Sequence, residues 1–98
     1  MIAVFVRFQF DDGVDRAAVT AIAERAKQQF EGLPGLRSKA FTVDEAGGEA
    51  VNVYLWDSEE AARAFFSDEM VERIAGLYGE RPTIRYAAVA VLVDNAEH

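Results

Sequence analysis

Asn52, Tyr54 and Trp56 stand two residues apart in the stretch 50–56, AVNVYLW. On an extended strand successive side chains point to opposite faces, so these three share one face. An asparagine amide can hold a carbonyl or enolate oxygen by hydrogen bonds. An indole offers a flat surface for stacking an aromatic compound as well as an N–H donor. A tyrosine hydroxyl can donate to a developing oxyanion. The set suits an aromatic, oxygen-bearing ligand. The same residues also serve packing: strand Tyr and Trp commonly bury with one satisfied polar tip, and a buried asparagine can tie down a loop or cross a dimer interface.

Other side chains of chemical interest are scattered. Arg7 and Arg85 each interrupt an otherwise apolar strand. They could bind an anionic substrate or form ion pairs at a rim. Phe65 and Met70 fit a core or one wall of a pocket. Arg37 and Lys39 fall on a strand expected near a sheet edge, where charge opposes sheet-to-sheet association. The adjacent acidic residues Asp11/Asp12, Asp44/Glu45, Glu59/Glu60 and Asp68/Glu69 do not converge on one ion and lack the spacing of a calcium loop. They read as solvated caps and turns. The glycines of EAGGE link two strands instead of joining a strand to a helix, so they form no phosphate cradle.

Composition removes several chemistries. The chain has no cysteine, which excludes disulfides, thiolate metal sites and a cysteine nucleophile. The sole histidine, His98, is the last residue, where chains usually fray, so a histidine-held metal or haem and a histidine base are both disfavoured. Seventeen acidic against ten basic residues give a net charge of −7, which opposes nucleic acid and anionic membranes. The opening MIAVFVRFQF lacks a basic leader and a cleavage site, and no apolar run approaches the ~20 residues that span a bilayer. A cytoplasmic location is the expectation.

The elements that must position these residues follow from hydrophobic period. Residues 2–10 alternate as a strand, with Ile2, Val4, Val6, Phe8 and Phe10 on one face and Ala3, Phe5, Arg7 and Gln9 on the other. Residues 14–31 switch to helical spacing, with Asp12 or Asp15 to cap the start and Gly32 the end. Leu33-Pro34-Gly35 predicts a tight turn. Strands follow at 36–44 and 50–56, joined by a glycine-rich hairpin. On 36–44, Leu36, Ser38, Ala40 and Thr42 oppose Arg37, Lys39, Phe41 and Val43. A second helix opens near Glu59, capped by Asp57 or Ser58, with Glu60 placed for a capping box with Asp57. Its stripe is Ala62, Phe65, Phe66, Met70, Ile74 and Leu77, and Ser67 and Asp68 could split it. Gly79 and Pro82 stop it. A last strand is predicted over 83–93.

The order βαββαβ in 98 residues implies one α+β domain of ferredoxin-like type. Its four-stranded antiparallel sheet carries helices on one face. The first and last strands are apolar on both faces, whereas a sheet with one wet face should alternate apolar with polar. The uncovered face therefore calls for a partner, most simply a second copy packed face to face as a homodimer.

With these elements in place, the stretch LPGLRSKAFTVDEAGGEAVNVYLWDSEEAARAFF resembles the dimeric α/β-barrel superfamily. Within it the stretch is most similar to the YdhR-type monooxygenases. It has the proline-glycine turn, a strand, the glycine-rich hairpin, a strand ending aromatic-acidic and a helix opening DSEEAARAFF. The superfamily includes antibiotic-biosynthesis monooxygenases, haem-degrading enzymes, isomerases and proteins with no known activity. In members that oxidise aromatic polyketides without a cofactor, an asparagine and a tryptophan four residues apart on the third strand face the substrate. Asn52 and Trp56 match that pair. A tyrosine and an arginine that such members bring from the second helical region have no counterpart, Ala62 and Gly76 falling near them. Haem-degrading members need a helical histidine, absent here.

The resemblance thus implies a homodimeric, cofactor-independent monooxygenase for a small aromatic or quinol-type compound, with Asn52 and Trp56 catalytic. Tyr54, Arg7, Arg85, Phe65 and Met70 would bind substrate, with no metal. It predicts a closed cavity of about 300 Å³ or more between sheet and helices. The alternative is a non-catalytic ligand-binding or stress-associated dimer with no convergent polar groups. An isomerase would need an acid/base pair that no internal histidine supplies.

Overall fold

A computed structural model describes residues 1–95. The elements run β1 (Ile2–Gln9), α1 (Arg16–Phe30), β2 (Leu36–Asp44), β3 (Glu49–Trp56), α2 (Glu59–Phe65), α3 (Asp68–Tyr78) and β4 (Thr83–Ala88). The strands form one antiparallel sheet in the order β2-β3-β1-β4. The fold is the ferredoxin-like βαββαβ arrangement, its second helical leg divided in two.

Alternation decides which face the helices cover. Ile2, Val4, Val6 and Phe8 of β1 and Ala50, Asn52, Tyr54 and Trp56 of β3 are all buried. The register sets Val6 beside Asn52, Val4 beside Tyr54 and Ile2 beside Trp56. Smaller aliphatic side chains on β1 thus leave room for the larger ones of β3. Val19 of α1, Ala62 of α2 and Ile74 of α3 close over this layer.

Caps fix the helix ends. Asp15 accepts from the Ala18 amide at 2.7 Å to start α1. Ser58, rather than Asp57 in a capping box, accepts from the Ala61 amide at 3.1 Å to start α2. Ser67 then caps α3 through the Met70 amide at 3.2 Å, which explains why the second leg breaks. Gly79 closes α3 in the left-handed conformation, its amide bonded to the Ala75 carbonyl at 2.8 Å.

Gly35 ties the α1–β2 turn to the end of β3. Its φ is +85°, and a Cβ there would lie 3.1 Å from the Ala61 Cβ and 3.7 Å from the Trp56 ring. Its carbonyl accepts from the Asp57 amide at 2.8 Å.

Three sequence expectations are corrected. First, a bulge lies between Leu36 and Ser38: Leu36 pairs with Trp56, yet Ser38 pairs with Leu55. The extra residue shifts the alternation, so Leu36, Lys39, Phe41 and Val43 all face the helices. Lys39 is therefore no edge guard, although β2 is an edge strand. Second, β4 stops at Ala88, not at residue 93. β1 begins at Ile2, and after the bond from the Val89 amide to the Met1 carbonyl (3.1 Å) no partner strand continues the ladder. Val91, Leu92 and Val93 are exposed. Third, Leu77 is 53% exposed, while Tyr78 turns inward in its place and stacks on Phe8 at 3.9 Å between ring centres. The expected position of His98 lies outside the described residues.

The sheet's other face carries Ala3, Phe5, Val51, Val53, Leu55, Ala40 and Ala87, and among the described residues the helices pack on the opposite side. No helix among the described residues is long and apolar enough to cross a membrane.

Candidate functional site

The Asn52–Tyr54–Trp56 face looks toward the helices. Above it, between β2, β3, α1 and α3, lies a cavity of about 190 Å³, smaller than the sequence led us to expect. Asn52 and Tyr54 line its sheet side, Phe30 and Ile22 its α1 side, and Phe65, Met70 and Ile74 its α2–α3 side. The exposed residues Gln29, Arg73 and Leu77 also border it, which sets the opening between α1 and α3. A dry cavity of about 150 Å³ admits benzene, so this space fits a compound of one or two rings.

Asn52 is 1% exposed. Its amide and the Tyr78 hydroxyl are hydrogen-bonded, with Nδ2 and Oδ1 at 3.2 and 3.3 Å from the hydroxyl oxygen. The hydroxyl can accept from the amide nitrogen or donate to the amide oxygen. Using one leaves the other amide atom able to meet a ligand. Burial raises the hydroxyl pKa of both tyrosines. At Tyr54 the nearby Tyr78 adds to the rise and hydrogen bonding to Asn52 offsets part of it; at Tyr78 Asn52 also offsets the rise. Both remain protonated donors throughout the physiological range.

Trp56 is buried behind this surface. It stacks on Tyr54 at 6.3 Å and packs against Phe65 at 5.2 Å between ring centres. Its indole N–H has no hydrogen-bond partner among the described residues. The aromatic layer Tyr54–Trp56–Phe65–Phe66 is continuous, Phe66 meeting Tyr54 edge-on at 5.0 Å. Aromatic pairs of this kind add about 0.5–1.5 kcal/mol each beyond area burial, so the floor is stiff.

Two residues that sequence reasoning gave no role in chemistry stand in the cavity wall. Tyr78 completes the α3 stripe Met70–Ile74–Tyr78 at i, i+4 spacing, a signal visible in the sequence. Lys39 reaches in from β2 because of the bulge. Its Nζ lies 3.4 Å from the Phe30 ring centre, 4.1 Å from Phe41 and 4.4 Å from Tyr54. Burial lowers its pKa from 10.5 to about 7. Tyr78 and Arg73 of α3 both border the cavity.

Arg7 and Arg85 are not brought to this site. Both lie on the opposite face of the sheet, Arg85 across from Phe5. Arg7 pairs with Glu49 at 2.7 Å and bonds to Gln9 at 2.6 Å. Among the described residues no three His, Asp or Glu side chains gather to hold a metal.

The fold is ferredoxin-like, and a comparison with protein families names the family. Residues 4–90 match the family described as "Putative mono-oxygenase ydhR". The chain belongs to that family. Among solved structures it is similar to a monooxygenase from the gene ActVA-Orf6 of Streptomyces coelicolor in complex with nanaomycin D. That match has 21% identity over 95% of this chain and 92% of that one, with a TM-score of 0.64. Rv0793 from Mycobacterium tuberculosis is 22% identical over 97% of each chain, TM-score 0.63. SnoaB, a cofactor-independent oxygenase from Streptomyces nogalater, is 14% identical over 97% of this chain and 96% of that one, TM-score 0.59. A search of the curated proteins finds no significant match.

Proposed function

We propose that this chain is a cofactor-independent monooxygenase for a small electron-rich aromatic compound, a phenol, naphthol or quinol, working as a homodimer. The observation that carries the reading is the buried Asn52 amide bonded to the Tyr78 hydroxyl at the wall of a largely apolar cavity. Family membership supports the reaction type, and the cavity's size supports a substrate of one or two rings.

The chemistry asks little of the protein beyond binding, orientation and exclusion of water. An ionised naphthol is a strong electron donor. It passes an electron to dioxygen, and the two radicals combine at a ring carbon. Loss of the proton from that carbon and cleavage of the O–O bond give a quinone and water. One atom of dioxygen enters the ring, the other leaves in water, and all four electrons come from the substrate. Asn52 and Tyr78 would hold the substrate oxygen as its charge changes. Tyr54, Phe65 and Met70 would sandwich the ring, and Trp56 would stiffen the floor from behind.

The uncovered apolar sheet face supports the homodimer. Packing a second copy there would close both sheets into one barrel, leaving each cavity on the outer, helical side of its own subunit.

Oxygen uptake with a panel of one- and two-ring naphthols and hydroquinones tests the proposal. Wild-type protein should exceed the uncatalysed rate with at least one compound, and Asn52→Ala should fall about 100-fold or more, the range of a lost oxyanion donor. Full activity in folded Asn52→Ala would remove Asn52 from the mechanism. No uptake with any compound would favour the ligand-binding alternative.

A further inference from the structure

We propose that Lys39 is the proton acceptor of this cavity, and that its ammonium form then holds the resulting phenolate, so that the ligand class is an acidic phenol. The proposal rests on the oxygenase reading for its catalytic meaning but not for its binding prediction.

Placement and elimination support it. The ionisable side chains lining the cavity are Lys39, Tyr54, Arg73 and Tyr78, with no carboxylate, in a chain whose acidic residues outnumber basic ones by seventeen to ten. Both tyrosines keep their protons. An arginine does not lose its own in proteins, and Arg73 sits at the opening, 3.7 Å from Glu69. Lys39 alone can change its charge near neutrality. An amine desolvated against aromatic rings gives up its proton readily, as lysines used as bases do.

Lys39 also stands on a boundary. It lines the cavity on one side and an outer groove between the end of α1 and β2 on the other. The amine can thus take a proton from a bound phenol and later release it to solvent. The transfer is balanced: the phenol O–H breaks, the lysine N–H forms, and phenolate and ammonium remain as an ion pair. Burial makes that pair stronger than it would be in water. The titratable and charged groups around Lys39 are Tyr54 on β3, Arg73 and Tyr78 on α3, Lys27 and Glu31 at the end of α1, and Arg37 on its own strand. Glu31 and Lys27 are exposed and oppose one another.

The simplest competing role for Lys39 is packing, its stem covering Phe30 and Phe41 with the ammonium resting on their faces. That role needs no ligand and selects none.

The test uses 4-nitrophenol, a one-ring probe that turns yellow on ionising. It is titrated with full-length protein below the probe's own ionisation point, where the free compound is colourless. Wild type should develop the nitrophenolate band, the bound probe's ionisation shifting by about one pH unit or more, a tenfold change. Lys39→Met should lose the band. Lys39→Arg should keep it, because a fixed cation still holds the anion. In turnover, Lys39→Arg should run about 100-fold slower near neutrality, since it cannot accept the proton. By linkage, the Lys39 side-chain resonance should titrate higher when the probe is bound. Colourless binding in wild type, or a yellow band surviving in folded Lys39→Met, would overturn the proposal. Oxygen uptake that needs Asn52 while Lys39→Met leaves it unchanged would refute the Lys39 role and spare the oxygenase. A Lys39-dependent band with no oxygen uptake on any compound would do the reverse.

Discussion

Replacing Lys39 by Met should stabilise the protein, and the gain should depend on pH. The methionine keeps an apolar stem against Phe30, Phe41 and Tyr54 while deleting the ammonium that burial penalises. A pKa lowered from 10.5 to about 7 corresponds, at about 1.4 kcal/mol per pH unit, to a ceiling of about 5 kcal/mol. Ring faces that favour the cation, and an edge strand that lets the head turn to water, make this an upper bound on the gain. Below about pH 7 the lysine is protonated in both folded and unfolded chains, so the folded state bears the whole penalty. From there to about pH 10.5 the unfolded chain holds a proton that the folded chain has released, and raising the pH favours folding. The penalty is gone above that window. Urea unfolding of both proteins at one protein concentration, at about pH 6 and about pH 10, measures it. Lys39→Met should be more stable at the lower pH, with the difference shrinking at the higher one. Equal stability at both, or a gap that widens with pH, would refute the reasoning.

Three further outcomes follow from the same geometry. Gly35→Ala should destabilise by about 1–3 kcal/mol in urea melts, combining a positive φ with the contact to Ala61; a neutral effect would mean that the turn relaxes freely. Tyr78→Phe should keep the stack on Phe8 yet lower oxygen uptake about tenfold or more, by removing the hydroxyl partner of Asn52. Unchanged uptake would leave that bond without a catalytic role. Val53→Glu, in the middle of the open sheet face, should convert a particle of about twice the 10.8 kDa chain mass into single chains in sedimentation. A wild-type particle already of single-chain mass would remove the dimer altogether.

Alternation in β1 and β3 was legible because both strands bury every second residue without a break. Asn52, Tyr54 and Trp56 could therefore be placed on one face, though the sequence did not say that the helices cover it. Lys39 was misread because a bulge adds one residue, and LRSKAFTV carries apolar side chains at both parities, so the shift leaves no mark. The overlong last strand has a similar origin. VAVLV has strand composition, but a strand also needs a neighbour to pair with, and that depends on where β1 begins. Tyr78 was hidden by Leu77: hydrophobicity favoured the leucine, whereas i, i+4 spacing from Met70 and Ile74 selects the tyrosine. Arg7 and Arg85 show the limit of reading charge on a strand, since pattern places them on a face without telling which face holds the cavity.

Turnover of the best naphthol of the panel under oxygen-18 gas, followed by mass spectrometry of the quinone, decides whether this cavity performs oxygenation. The quinone should carry one labelled oxygen from the gas, and Asn52→Ala should abolish its formation. A quinone whose new oxygen comes from water, or one formed as fast without protein, would contradict the assignment.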